Sequence, residues 1–233
     1  MIIIMSMFES PRSFALPRLL QLVSPTLPIG AYAYSQGLEM ACERGLVINA
    51  ATAENWISNL LRHSFGCLDL PVGVRLYTAW QQQDLAMVRH WNQYLQASRE
   101  SSELLSEDRH LGAALLRVIE QLPEDIEQSF YEIEHPSFVT LFTAIALQWK
   151  IPVDVALTGY GFSWCENQVA SAIKLIPLGQ TQGQNLLLRL GDALERLVQQ
   201  AMYMEDGEIG RQLPMVSMMS SLHETQYSRL FRS

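Results

Sequence analysis

Cysteine is scarce in this sequence. Cys42, Cys67 and Cys165 stand alone, with no CxxC pair and an odd total, which excludes a disulfide framework and points to reduced thiols in a reducing compartment. Charge is thin as well: 17% of residues are charged against 48% hydrophobic, so part of the surface is expected to be apolar and to need a covering partner. Acidic residues outnumber basic ones, for a formal net charge of -8. A binder of phosphate backbones carries a basic patch, so nucleic acid is not an expected partner; docking onto a basic protein is compatible with this balance. No hydrophobic run approaches the ~18 residues that span a bilayer. The opening MIIIMSM lacks the basic stretch and small-residue cleavage site of a signal peptide. A cytoplasmic protein without membrane association is the expectation.

The chemistry-bearing motifs are missing too. There is no GxxxxGK[ST] phosphate loop, no GxGxxG opening a helix after a strand, and no GxSxG elbow. His63, His90, His110, His135 and His223 are scattered, with no i,i+4 pair and no HExxH. No local metal site is therefore predicted, and each histidine reads as a surface or helix-end residue. Two groupings remain. Glu100, Glu103, Glu107 and Asp108, flanked by Arg99 and Arg109, share a helix face; carboxylates so spaced can hold a cation or do acid–base work, but a solvated, ion-paired face is the plainer expectation. Glu166 and Lys174 lie eight positions apart, about 80° out of phase on a helix, which is poor geometry for a catalytic pair.

What the chain does have is helical periodicity. Residues 1–16 read as a flexible tail, 17–213 as one helical domain, and 214–233 as a C-terminal helix with a docking tail. Pro17 suits the first turn of a helix carrying Leu19, Leu20, Leu22 and Val23, which ends in SPTLPIG. A second helix is expected from Ser35, as N-cap, to Arg44, stopped by Gly45; a third is expected from Thr52, as cap, through Phe65. Further helices follow over 70–81, from Asp84, through SRESSELLSEDRHLGAALLRVIEQL, from Pro123, over Ser137–Lys150, from Thr181 to Met204, and from Pro214. Alternating strand patterns, repeats and linkers are absent. The fold class is all-α: a single domain, an irregular bundle of roughly ten helices.

The segment over residues 153–176 is the most unusual. At about 100° per residue, Tyr160, Ser163, Asn167, Ser171 and Lys174 fall on one narrow seam, and nearly everything else is apolar. A helix apolar over most of its circumference is a buried central one. From the pattern alone its polar seam reads first as an edge reaching solvent, and second as a face toward an internal passage or a partner. The last residues crowd together Tyr227, Arg229, Phe231 and Arg232, side chains typical of interface anchors.

Four segments, LLQLVSPTLPIGAYAYSQGLE, SRESSELLSEDRHLG, WCENQVASAIKLIPLGQTQGQ and HETQYSRLFRS, together resemble the UreF family of urease accessory proteins. The match runs from Leu19 to Ser233 in the expected order. It implies an all-helical, non-enzymatic protein that acts with UreD (UreH in some organisms) and the GTPase UreG to load nickel into apo-urease. Such a protein is usually dimeric within the complex and is thought to regulate the GTPase. It implies no cofactor of its own: nickel is handled by the complex, and GTP is bound by UreG. The family's turn tyrosine falls on Tyr32 and its terminal arginine on Arg229, both at the surface that recruits the GTPase; Leu19, Leu20 and the tail are expected to order against UreD. The family's middle arginine is missing between Ser101 and Glu103, which leaves the ion-pair partners of that segment unassigned. An arginine supplied in trans can speed GTP hydrolysis, and Arg229 and Arg232 are chemically able. The alternative reading is an all-α metal carrier or enzyme built on Glu166, Lys174 and the 100–108 carboxylates.

Overall fold

The helical signals become ten α-helices in the computed structural model, which describes residues 15–123, 127–210 and 213–233. In chain order these are α1 (Ala15–Leu22), α2 (Leu38–Glu43), α3 (Ala50–Leu60), α4 (Asp69–Gln81), α5 (Leu85–Ala97), α6 (Ser102–Ile119), α7 (Phe138–Gln148), α8 (Val153–Leu175), α9 (Gln180–Tyr203) and α10 (Pro214–His223). No strand occurs among the described residues. The fold is all-α, and α8 is its axis, touching α1, α2, α3, α4, α7 and α9. That centrality follows from its composition, because a helix apolar nearly all round needs neighbours on every side. Two glycines set how closely they come. A Cβ on Gly159 would stand 2.7 Å from Leu19 Cδ1 of α1, and one on Gly161 would stand 2.4 Å from Leu194 Cδ1 of α9.

Several helix ends differ from expectation, each for a local reason. Ser35 is not the N-cap residue of α2, because Gln36 and Gly37 take positive φ values (54° and 81°) and delay the helix to Leu38, but its Oγ still accepts the first-turn Glu39 N–H at 3.3 Å. Thr52 is the third residue of α3 rather than its cap: Asn49 Oδ1 accepts the Thr52 N–H at 3.0 Å, and Thr52 Oγ1 accepts the Asn49 N–H at 3.0 Å. This reciprocal pair is a capping box. α9 begins at Gln180, ahead of Thr181, with Gln182 Oε1 accepting the Gly179 N–H at 3.0 Å. The helix expected from Pro123 is replaced, past residues 124–126 that lie outside the described chain, by a short 3-10 turn, Gln128–Glu132. α1 starts at Ala15, two positions before Pro17; residues 1–14 of the expected tail lie outside the described chain. Asp84 does cap α5, accepting the Met87 N–H at 3.0 Å, and the helix expected over Ser137–Lys150 is the buried α7.

Past α3 the chain makes a π-helical turn, Leu61–Phe65. It brings the Phe65 ring to 4.9 Å from Trp164 and 5.0 Å from Tyr160, between centroids. Widened turns of this kind re-aim one side chain. Here the ring becomes part of the wall of an internal cavity beside α8.

Candidate functional site

Three segments remote in sequence meet where the chain ends: the turn before α2, the first half of α6, and residues 224–233. Pro28 and the left-handed Gly30 (φ 79°) turn the chain into a short 3-10 element, Ala31–Ala33, which leaves main-chain groups of Ala33 and Ser35 free of any helix. The tail takes them up. Arg232 N–H donates to the Ala33 carbonyl at 2.7 Å, and Ser35 N–H donates to the main-chain oxygen of Ser233 at 2.8 Å.

Carboxylates do the rest. Glu39 of α2 accepts the Leu230 N–H at 2.6 Å on one oxygen and the Phe231 N–H at 2.9 Å on the other. Glu103 of α6 accepts from Arg229 Nη1 at 2.7 Å, and Glu107, one turn on, accepts from Ser233 Oγ at 3.0 Å. His223, the last residue of α10, is fully buried between them, with Nε2 3.1 Å from Glu39 and Nδ1 2.8 Å from Glu103. A ring flanked by two carboxylate oxygens donates to both only when it carries both protons. Phe231 is buried, and Lys174 Nζ sits 5.5 Å from its ring centre. The outward side of the tail exposes Tyr227 completely and Leu230 to 63%, among the polar Ser228, Arg229 and Arg232. Tyr227 and Leu230 border an open groove of about 690 Å³ shared with Cys42, Glu43 and Leu175.

Beneath the tail lies a cavity of about 110 Å³ lined by Gln36, Asp69, Arg99, Glu107, Tyr160 and Asn167, among others. The guanidinium of Arg99 bridges two buried carboxylates, reaching Asp69 at 2.7 and 3.2 Å and Asp108 at 3.4 Å. Burial works against the Arg99 cation, but Asp69 and Asp108 outweigh it and hold its pKa well above the ordinary value. Tyr160 O–H donates to Asp69 at 3.3 Å; burial first, then that carboxylate, raises the phenol. Gln36 Nε2 donates to Glu107 at 2.8 Å. Burial pushes the Glu107 carboxyl up to about 7, against the opposing pull of Gln36, Ser233 and Arg99.

This corrects the reading of the 100–108 carboxylates as a solvated face. Only Glu100 of the four is exposed, beside Ser217; Glu107 and Asp108 are buried, because the face turns inward toward α4, α8 and the tail. The missing middle arginine is no loss to Arg99, whose partners come from α4 and α6, while Arg109 points outward to Gln96. The polar seam of α8 is likewise not a solvent edge. Asn167 is buried and donates to the Tyr34 carbonyl at 3.1 Å, Ser163 Oγ donates to the Tyr160 carbonyl at 2.9 Å, and only Lys174 is exposed. The Asn167 Oδ1, both amide atoms of Gln168 and the Ser171 hydroxyl are buried without a partner among the described residues.

Glu166 and Lys174 are not brought together. Glu166 accepts from the Tyr32 O–H at 2.7 Å, whereas Lys174 covers Phe231. Burial, then Glu166, raises the Tyr32 phenol far above its usual range. Of the first-helix pair, Leu19 is buried against α8 and Leu20 is exposed. Arg229 spends all three guanidinium nitrogens within its own chain, on Glu103 and on the carbonyls of Gln226 and Glu224, while the Arg232 residue is exposed. His223 and Glu39 escaped the sequence reading. Neither belongs to a motif with its partner, and their contact spans 184 positions.

The comparisons with known proteins agree with one another. A family model described as UreF matches residues 47–191. A protein of Alkalilimnicola ehrlichii named urease accessory protein UreF is 46% identical over 227 residues, covering 97% of this chain and 99% of that protein. The protein of the same name from Marinobacter nauticus is 46% identical, with 97% of each chain covered. The one from Teredinibacter turnerae is 45% identical, over 92% of this chain and 97% of its own.

This chain belongs to the UreF family.

In this UreF-family chain Glu39, Asp69, Glu107, Asp108 and His223 sit in buried structural networks. Among the described residues no three His, Cys, Asp or Glu side chains gather closely enough to hold a metal ion. Burial pushes the Cys165 thiol up to about 12, and burial with Glu39 pushes Cys42 up to about 11. Both are thus protonated at neutral pH and unready as thiolate nucleophiles or ligands. No helix among the described residues is long and apolar enough to cross a membrane.

Proposed function

We propose that this UreF-family chain is a non-enzymatic adaptor in urease maturation: it bridges UreD and the GTPase UreG, as a homodimer within the cytoplasmic complex that inserts nickel into apo-urease. Nickel is the cargo of that complex and GTP the ligand of UreG; the chain itself binds neither a cofactor nor nucleic acid. The supporting observation is the tail. A ten-residue segment of turns and bends, 224–233, is fastened by three carboxylates and two main-chain hydrogen bonds, yet it exposes Tyr227 and Leu230 beside Cys42, Glu43 and Leu175. A surface held rigidly with aromatic and aliphatic side chains exposed is what a docking site needs, because little ordering entropy remains to be lost on binding.

Regulation of GTP hydrolysis fits the same reading through placement of UreG. Arg229 has its whole guanidinium engaged by its own chain, which favours a docking and fastening role over insertion into a partner's active site. Against the rival carrier or enzyme, Glu166 and Lys174 have separate partners. Calorimetric titration of the isolated full chain with nickel is expected to show no tight stoichiometric site. A site of one ion per chain without partners would establish the carrier instead.

A further inference from the structure

α9 runs out in the stretch MYMEDGE, residues 202–208, where apolar side chains give way at once to carboxylates. The helix stops at Tyr203, Met204 is extended, and the chain closes a 3-10 turn over Asp206–Glu208. Tyr203 is left 84% exposed at that end. Beside it lies an open groove of about 670 Å³ between α4, α5 and the end of α9, with the buried Trp91 and the half-buried Met202 and Met204 in its lining. Met87 of α5, 40% exposed, stands on its rim. A second open groove, of about 520 Å³, shares Tyr203 and Met204 with the first and reaches Glu208. Methionines are unbranched and polarizable, so a wall built from them can adapt to an inserted side chain. An exposed tyrosine among them is a common interface anchor.

The edge of these grooves is acidic and held in shape. Glu205, Asp206 and Glu208 are all exposed. Glu205 N–H donates to the Glu208 carboxylate at 3.2 Å, and the Glu205 side chain accepts from the turn in return. Arg75, the basic residue in the lining, is spent on Asp206 at 2.8 Å and on the Met204 carbonyl. Three carboxylates against one guanidinium leave the edge net negative. That sign selects the occupant, because a cationic segment is drawn to it and an anionic one repelled. A second copy of this chain, laid on by a two-fold axis, would turn one acidic edge toward another.

We propose that this end of the molecule is a docking surface for a basic segment of a partner protein. The segment sets a large apolar side chain against Tyr203 and Met87, and its lysines or arginines lie along the 205–208 edge. The inference goes beyond the adaptor role and does not rest on it: these grooves share no lining residue with the groove beside the tail.

The experiment is fluorescence anisotropy of a labelled peptide of alternating lysine and leucine pairs, titrated with the full chain at low salt. A glutamate-and-leucine peptide of the same pattern is the control. Saturable binding of the lysine peptide alone is expected. Tyr203→Ser combined with Met87→Ser, both at exposed positions, should weaken it about tenfold. Glu205→Gln combined with Glu208→Gln keeps the oxygens that close the turn but removes the charge, and should weaken it about threefold. Deleting residues 227–233 should leave it unchanged. A thermal melt of each variant confirms folding. No saturable binding, equal binding by the Tyr203→Ser, Met87→Ser variant, equal binding of the glutamate peptide, or loss on deleting the tail would each overturn the proposal.

Discussion

Arg99→Leu is expected to lower the unfolding free energy by about 3–5 kcal/mol, enough to leave the chain largely unfolded or insoluble at physiological temperature. The side chain bridges Asp69 and Asp108, both buried. Removing it leaves two carboxylates in the interior with no cation to compensate them. Asp108 also accepts the Phe138 N–H at 3.1 Å and so fixes the start of α7; a protonated or displaced Asp108 would disturb that end as well. Urea unfolding followed by circular dichroism measures the loss. The triple variant Arg99→Leu, Asp69→Asn, Asp108→Asn should recover most of it, because a neutral network carries no buried charge. The exposed pair Arg189–Glu54 is shorter, at 2.6 Å, yet its removal should cost far less, because water screens it. Burial, not distance, decides between them.

Deleting Tyr227–Ser233 should leave the helical domain folded while reducing urease activation about tenfold or more, the scale that follows when anchor contacts worth ~2 kcal/mol are taken from a docking surface. The domain survives because the tail is laid on from outside. Its loss removes the burial of Phe231, about 2–3 kcal/mol, and exposes Glu39, Glu103 and Glu107 to water rather than stranding them in the core. His223 keeps both carboxylate partners. Arg229→Ala should fall between wild type and the deletion, since it cuts the link to Glu103 but leaves the Glu39 hydrogen bonds in place. The measurement is urease activity with the full set of accessory proteins, beside a thermal melt of each variant. Unchanged activation after the deletion would remove the tail from the account.

The parts of the fold legible in the sequence are those set by local periodicity and composition. α8 announced itself because it is largely apolar around one narrow polar seam, and α5 because Asp84 is followed by a clear apolar face. Helix ends that depend on two residues acting together were harder: Ser35 looks like a cap until the positive φ of Gln36 and Gly37 moves the start of α2, and Thr52 serves as the partner of Asn49 rather than as the cap. The tail anchors stand out by composition, but their receptors do not. Glu39 and His223 meet across 184 positions, and Glu107 turns inward only because α4, α8 and the tail converge on it. The seam of α8 shows the limit most clearly. Its polar residues share a face, which the sequence reveals, but the turn at Tyr34 covers Asn167 with a carbonyl, which no spacing rule predicts.

The adaptor role is tested most directly by size-exclusion chromatography with light scattering on the full-length chain mixed with UreD and GTP-loaded UreG. The expected result is a single species containing all three proteins, with UreG leaving it when residues 227–233 are deleted and absent from UreD altogether when the chain is omitted. Retention of UreG on UreD without this chain, or elution of the chain apart from both, would contradict it.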